Sequence, residues 1–448
     1  MASQDSKPSL EPKDSRREFM KASSTVIAGG AVIGTLPIAR AAHSFGSDEI
    51  KVGLVGCGGR GTGAATQALD TNSPENRVKL TAVADPFEFR ATQAIKSIGS
   101  KHDDKIDVAD RTFIGVDAFK RLIESDVDLV ILTSPPGFRP LHFETAVKAG
   151  KHVFMEKPVA TDAPGVRRVL AATEEAKKKN LAVAVGLQRH HEPSYKATIA
   201  KLKDGAIGDI ILTRAYWNGD GVWTRERKPE QSELEYQMNN WYYFNWLSGD
   251  HITEQHIHNL DVINWLMDGP PAEAQGQGGR QVRTGPDSGQ IFDHHFVEYT
   301  YKNGVKLLSQ CRHIPGCWSS VSEFAHGTNG WCDIGGGKIY DKSNKQVWSA
   351  PGNSRDGWAQ EHFDLFEMIR KGERPNEGEY GAYSTMTSIM GRMATYTGKV
   401  LKWEDCLNSK VSLANTDAMD SFDDEAPLQP EDGKYWVPTP GLDPELVV

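Results

Sequence analysis

Two short stretches carry residue types and spacings suited to shared chemistry. The first is Gly56-Cys57-Gly58-Gly59-Arg60-Gly61, a Gly-x-Gly-x-x-Gly turn between an apolar run and a helical pattern. Such a turn brings backbone N–H groups and a helix N-terminus up to a pyrophosphate. Gly56 permits the tight turn, Gly58 the close approach of backbone, and Gly61 the packing of helix on strand, with Gly59 and Arg60 completing the loop. Arg60 is a candidate phosphate or ribose contact. Asp85, at the end of the next apolar run, is placed to accept hydrogen bonds from ribose hydroxyls, and its charge disfavours a 2′-phosphate; Arg90 softens that repulsion. NAD is therefore expected, with NADP less favoured. The second stretch is Glu156-Lys157-Pro158, after the apolar run 152–155. Proline keeps Lys157 out of helical geometry, makes the bond a candidate cis peptide, and projects the lysine from a strand's carboxyl end, where wound sheets bind ligands.

The elements that must position these groups are legible as a pattern. Apolar runs at 50–55, 78–84, 127–133, 152–155 and 181–185 alternate with helical patterns at 61–69, 86–98, 140–149 and 163–179. This alternation predicts an α/β fold, a Rossmann doubly wound parallel sheet over 48–188. Beyond it the runs 210–217, 296–301 and 305–311 look antiparallel, the last two joined by a Lys302-Asn303-Gly304 turn. An α+β domain with an open mixed sheet is expected over 189–407, its later helices at 360–371 and 384–397. An irregular wrapping tail follows over 408–448.

Composition narrows the function classes. The chain has 448 residues and a formal charge of −9, which argues against nucleic acid as a partner and favours a small molecule. Its five cysteines form no Cys-x-x-Cys pair and read as buried or packing thiols, with a Cys311–Cys317 bridge as the alternative in an oxidising compartment. Ser15-Arg16-Arg17-Glu18-Phe19-Met20-Lys21 resembles a twin-arginine signal; an apolar stretch and an Ala39-Arg40-Ala41 cleavage site follow. Residues 1–42 are expected to be a signal peptide that sends the folded, cofactor-loaded protein through the twin-arginine machinery to the periplasm.

The glycine loop, Asp85, Thr133-x-Pro135, His142, Gly150-Lys151-His152-Val153 and Glu156-Lys157-Pro158 together resemble the Gfo/Idh/MocA family. The resemblance implies a nicotinamide-binding domain followed by a sheet-based domain that often mediates oligomers, so a homo-oligomer is expected. It also implies cofactor contacts from Ser134, Pro135, His142 and Glu156, and Lys157 beside both nicotinamide and substrate. The family's second catalytic element, Asp, then His four residues on, then Asp three later, reads here as Glu254, His258 and Asp261. On one helix these three share a face, letting Glu254 orient a basic His258. His251, Glu254 and His258 also have a metal-like spacing, but nothing nearby supplies a convincing further ligand and no metal is expected. Trp217, Trp223, Trp241, Tyr242, Tyr243 and Trp246 offer faces for a sugar or a core, and Arg189 and Trp246, with Asp261, are taken as substrate contacts.

The chemistry expected is hydride transfer between a tightly bound nicotinamide and a carbinol carbon of a sugar or polyol. His258 takes the hydroxyl proton, Lys157 steadies the alkoxide or shares the base role, and Glu254 holds His258. Two alternatives are a redox-neutral NAD-dependent glycosidase of the same family and a nucleotide-binding sensor without turnover.

Overall fold

The computed structural model describes residues 49–74 and 77–442; the twin-arginine motif and its cleavage site lie outside them. Six parallel strands, β1 (Glu49–Val55), β2 (Arg77–Asp85), β3 (Thr112–Ile114), β4 (Leu129–Leu132), β5 (His152–Met155) and β6 (Val183–Val185), form a sheet in the order β3-β2-β1-β4-β5-β6. The order reverses between β1 and β4, and the crevice beyond their carboxyl ends is the ligand position of a wound sheet. Every residue of β4 and β5 is buried, which is why both read as continuous apolar runs. The edge strand β3, three half-buried residues, has no such signal.

Local chemistry starts and stops the helices. Asp162 accepts the Gly165 N–H ahead of the helix Ala163–Lys178, which has proline in its first turn and buries Val166, Val169, Ala172, Thr173 and Ala176 along one stripe.

The second sheet has nine strands: β7 (Ile210–Gly219), β8 (Glu273–Gly279), β9 (His294–Thr300), β10 (Lys306–His313), β11 (Ser320–Gly327), β12 (Gly330–Asp333), β13 (Lys338–Asp341), β14 (Gln346–Ser349) and β15 (Leu401–Lys402). Their order is β14-β13-β12-β11-β7-β10-β9-β8-β15, with β7 and β10 parallel and the other pairs antiparallel. The β9–β10 turn is the expected one, with Gly304 at φ +84°. Along β10, Leu307, Ser309, Cys311 and His313 are buried while their neighbours are half-buried, the period-two signature of a sheet covered on one face.

That covered face carries the helix Gly378–Thr397, which also packs on the helix Ala163–Lys178 and so ties the two sheets together. Small residues make the approach possible: a Cβ on Gly381 would stand 3.0 Å from the Val185 side chain. The tail after Leu407 is irregular apart from one short turn and wraps the Rossmann half, with Asp417 bonded to Arg168, Asp420 to Lys120, and Phe422 5.1 Å from the Phe87 ring. All five cysteines are free thiols, four buried and Cys317 exposed. Among the described residues no helix is long and apolar enough to cross a membrane.

The contact between Gly391 and the buried ring of Tyr299 yields a stability prediction. A Cβ on Gly391 would stand 3.0 Å from the Tyr299 Cζ and overlap its hydroxyl, which is held by the Thr387 carbonyl. Gly391→Ala should destabilise the protein by about 1–3 kcal/mol, the usual cost of overpacking. A lower urea midpoint at unchanged slope is the expected reading, and an unshifted midpoint would show that the helix moves away freely.

Candidate active site

The glycine loop closes β1 as its spacing requires. Gly56 sits at φ +92°, and a Cβ there would come within 2.6 Å of the Ser134 amide nitrogen. A Cβ on Gly61 would overlap the Gly56 carbonyl, so the helix Gly59–Asp70 stands directly on the turn. Gly58 and Gly59 have space around them, the nearest atom to an added Cβ being Arg90 Nη1 at 3.9 Å from Gly58. The helix start has no capping side chain and no acidic residue in its first turn, leaving N–H groups for an anionic ligand. Asp85 accepts from the Cys57 N–H at 2.6 Å and the Phe87 N–H at 2.8 Å. It therefore braces the loop and lines the cavity. A loop with open space at two glycines, a free helix N-terminus and a carboxylate one strand away fits a dinucleotide.

These groups line one cavity of about 470 Å³, with Ser134, Pro135, His142, Glu156, Lys157, Glu254 and His258. Other lining residues come from beyond the Rossmann sheet, as Trp217, Trp223, Arg225, Met238 and Trp241. Trp223, Trp241 and Trp217 are thus the cavity members of the aromatic cluster, whereas Tyr242, Tyr243 and Trp246 are buried in the core. His142 stacks 4.0 Å from the Phe119 ring and pairs with the Ser134 hydroxyl at 3.0 Å; burial pushes its pKa down to about 3, so it is neutral.

The Lys157–Pro158 bond is cis. The Lys157 ammonium donates to the Glu254 carbonyl oxygen and to Glu254 Oε1, the latter at 2.8 Å. His258 stacks near Trp217, with ring centres 5.8 Å apart, and its Nδ1 is buried without a partner. Burial, with the nearby charges of Lys157, Arg189 and Arg60, holds its pKa well below the ordinary imidazole value. The site thus presents a neutral imidazole and a lysine steadied by a glutamate.

Several expectations need correction. Glu254 holds Lys157 and makes no bond to His258, because two helices, His251–Glu254 and Ile257–Leu266, replace the single helix that the spacing predicts. Asp261 does not reach the cavity: it accepts from the Ser384 hydroxyl at 2.7 Å and pairs with His190 at 2.8 Å. Arg189 is buried against Glu323 and over the Tyr195 ring. Trp246 donates its indole N–H to Gln237 at 2.7 Å inside the core. Arg60 lines the cavity, but its guanidinium is committed to Glu156, to Gln67 at 2.8 Å and to Glu361 at 3.3 Å. His251, Glu254 and His258 do not converge. Among the described residues the donors that do are His251, His295 and Cys311, within 4.8 Å of one another, with both histidines on Asp250. Sequence reasoning missed Arg225, Gln255 and Trp358 as lining residues; only Gln255, inside the Glu254 to His258 stretch, had a positional hint.

Comparison with known proteins agrees with this geometry. Residues 50–186 match the model of the oxidoreductase family with an NAD-binding Rossmann fold, and residues 195–331 match the GFO/IDH/MocA C-terminal domain. The chain belongs to the Gfo/Idh/MocA oxidoreductase family, and its first domain is that family's NAD-binding domain. It is 27% identical over 241 residues to the inositol 2-dehydrogenase of Acidothermus cellulolyticus, covering 53% of this chain and 60% of that protein. The chain therefore matches about three fifths of that relative's length. Among solved structures it is similar to levoglucosan dehydrogenase in complex with NADH and levoglucosan (TM-score 0.60, 17% identity, 79% of this chain and 99% of that one). It is also similar to the apo scyllo-inositol dehydrogenase of Lactobacillus casei (TM-score 0.58, 20% identity, 80% and 98%). At these identities the likeness shows the fold.

Buried histidines set the acid response. Burial lowers His142 and His256 to about 3, and His152 and His251 to about 4. In the unfolded chain each titrates near ~6.5. Between those values the unfolded state binds more protons, so stability is present above ~6.5 and is lost as pH falls toward 4. His191, raised to about 9 despite burial by its hydrogen bond to Asp364 and the adjacent Glu377 carboxylate, acts oppositely: its stabilisation holds below ~6.5 and fades as pH rises through 9. Urea midpoints should therefore fall from pH 7 to pH 5, with His152→Gln flattening the decline; equal midpoints would show that these imidazoles are not kept neutral.

Proposed function

We propose that this protein is an NAD-dependent dehydrogenase that oxidises a secondary hydroxyl of a sugar or polyol. The observation that carries the reading is that Lys157 and His258 line the same cavity as the open face of the glycine loop. A nicotinamide, when bound, would supply the hydride acceptor. His258, neutral and lining the cavity, accepts the hydroxyl proton. The Lys157 ammonium donates a hydrogen bond to the oxygen as negative charge develops there. Glu254 orients the ammonium and balances its charge. Trp217, Trp223 and Trp241 give the cavity aromatic faces for the C–H side of a ring, and the relatives named for inositol and levoglucosan support a hydroxyl-rich substrate.

Tight retention of the nucleotide is part of the proposal, supported by the wall that Trp223, Arg225, Met238 and Trp241 build opposite the loop. Export by the twin-arginine route to the periplasm rests on Arg16-Arg17 and the leader that follows. A homo-oligomer is supported by the open side of the second sheet, where Leu308, Arg214 and Phe324 lie side by side in register and Trp331 stacks on Tyr340. Absence of the protein from a periplasmic fraction would remove the export reading, and a monomer mass by light scattering would remove the oligomer.

The purified protein should release near one equivalent of NAD per chain on denaturation, and a polyol from a panel of inositols and hexoses should reduce that NAD in a single turnover, with the keto product detected by mass. Lys157→Ala and His258→Ala should each lower kcat by at least ~100-fold, the scale for positioned proton-transfer groups, with nucleotide still bound. Near-normal turnover in both variants would sink the assignment. Cleavage of aryl glycosides with no keto product would point to redox-neutral chemistry.

A further inference from the structure

Gln255 faces the cavity between Glu254, which holds Lys157, and His258. Its amide is not free to choose which end it shows. Arg283 is a donor only. Its Nη2 lies 2.6 Å from His313 Nδ1, so that nitrogen must be a bare acceptor and the ring carries its proton on Nε2. The resulting Nε2–H lies 2.6 Å from Gln255 Oε1, which accepts it. The Gln255 NH2 group is left for the cavity, and among the described residues no protein group accepts from it.

The relay is anchored behind the site. Arg283 donates to the Phe292 carbonyl and lies over the Tyr243 ring, 5.2 Å from its centre, while its own N–H is held by Asp293. His313 is buried, with its ring stacked 4.3 Å from His251. Neither Arg283 nor His313 lines the cavity. Strand β10, which ends at His313, therefore sets the polarity of one group on the cavity wall.

We propose that Gln255 is a specificity-determining residue that donates to one oxygen of the substrate, with His313 and Arg283 as the positioning residues that fix its amide. The proposal rests on the reading of this cavity as a sugar or polyol site. It defines a chemical preference: at one ring position the site accepts a hydroxyl or carbonyl oxygen. At that position it rejects both a deoxy carbon, which leaves the amide unpaired, and an ammonium, which cannot accept.

The test uses the full chain with its bound nucleotide, and the polyol that reduces it fastest among myo-inositol, scyllo-inositol and glucose, together with the monodeoxy analogues of that polyol. The wild type should lose about 10-fold in kcat/KM for one analogue, the scale of one hydrogen bond with its unpaired partner. Gln255→Leu should bring the parent polyol down to that level and leave that analogue unchanged. Equal losses across all analogues, or none, would overturn the proposal. Nitrogen-15 spectra of the wild type should show His313 protonated at Nε2 and bare at Nδ1, and Arg283→Met should release it to a mixture of tautomers. A proton on Nδ1 in the wild type would also overturn it. A wild type that oxidises no polyol would remove the functional reading and this proposal with it, whereas an active wild type with a flat deoxy profile sinks this proposal alone.

Discussion

The ion pair between Lys157 and Glu254 is the joint on which the site depends. Both side chains are mostly withdrawn from water, at 12% and 15% exposure. Removing two such charges from solvent costs several kcal/mol per ion unless geometry repays it. Here the ammonium takes both the glutamate carboxylate and its carbonyl, so the strand end of the Rossmann sheet and the turn that begins the Ile257–Leu266 helix are held at one separation. His258 sits on the first turn of that helix, so its place relative to Lys157 follows from the same joint. Replacing one partner would leave a charge stranded in the wall, a larger disturbance than loss of one contact.

A second set of charges braces the opposite side. Arg60, in the glycine loop, reaches Glu156 next to Lys157 and Glu361 in the helix Gly357–Arg370. Glu361 is fully buried, and burial together with the Glu156 charge raises its pKa well above the ordinary carboxylate value, opposed by Arg60. The guanidinium thus lets two buried carboxylates share a small space. Gly186 completes the arrangement, since a Cβ there would come within 2.6 Å of Glu156 Oε2.

The Rossmann half was legible because its signals are local. Strands buried on both faces are written as unbroken apolar runs, and the loop demands glycine where the backbone is at φ +92° or the helix meets the turn. The fate of individual charges was not legible. Asp261 is satisfied by Ser384, 123 residues away, Arg189 by Glu323, 134 away, and Arg60 by Glu361, 301 away. No periodicity encodes such partners. The Glu254–His258 pairing fails for a different reason: the spacing fits one continuous helix, and the chain instead breaks at Gln255, φ −110°, between two helices. The aromatic cluster divided according to what each ring faces. Trp217 lies on β7 in register with Cys311 and Val321 and turns toward the cavity, whereas Trp246 finds a core amide for its N–H.

The cavity has one wall from the glycine loop, Asp85 and the β5 end, and the other from Trp217, Trp223, Arg225, Met238 and Trp241. A dinucleotide held there would draw on residues more than 150 positions apart in sequence, and would so act as one more element of the fold. By mass action a ligand at a thousand times its dissociation constant adds about 4 kcal/mol to native stability, as much as several core side chains. With retention that tight, nucleotide supply during synthesis would become a determinant of folding yield and of resistance to proteolysis. Cells short of the dinucleotide would accumulate less of the protein itself, before any shortage of activity per molecule is felt.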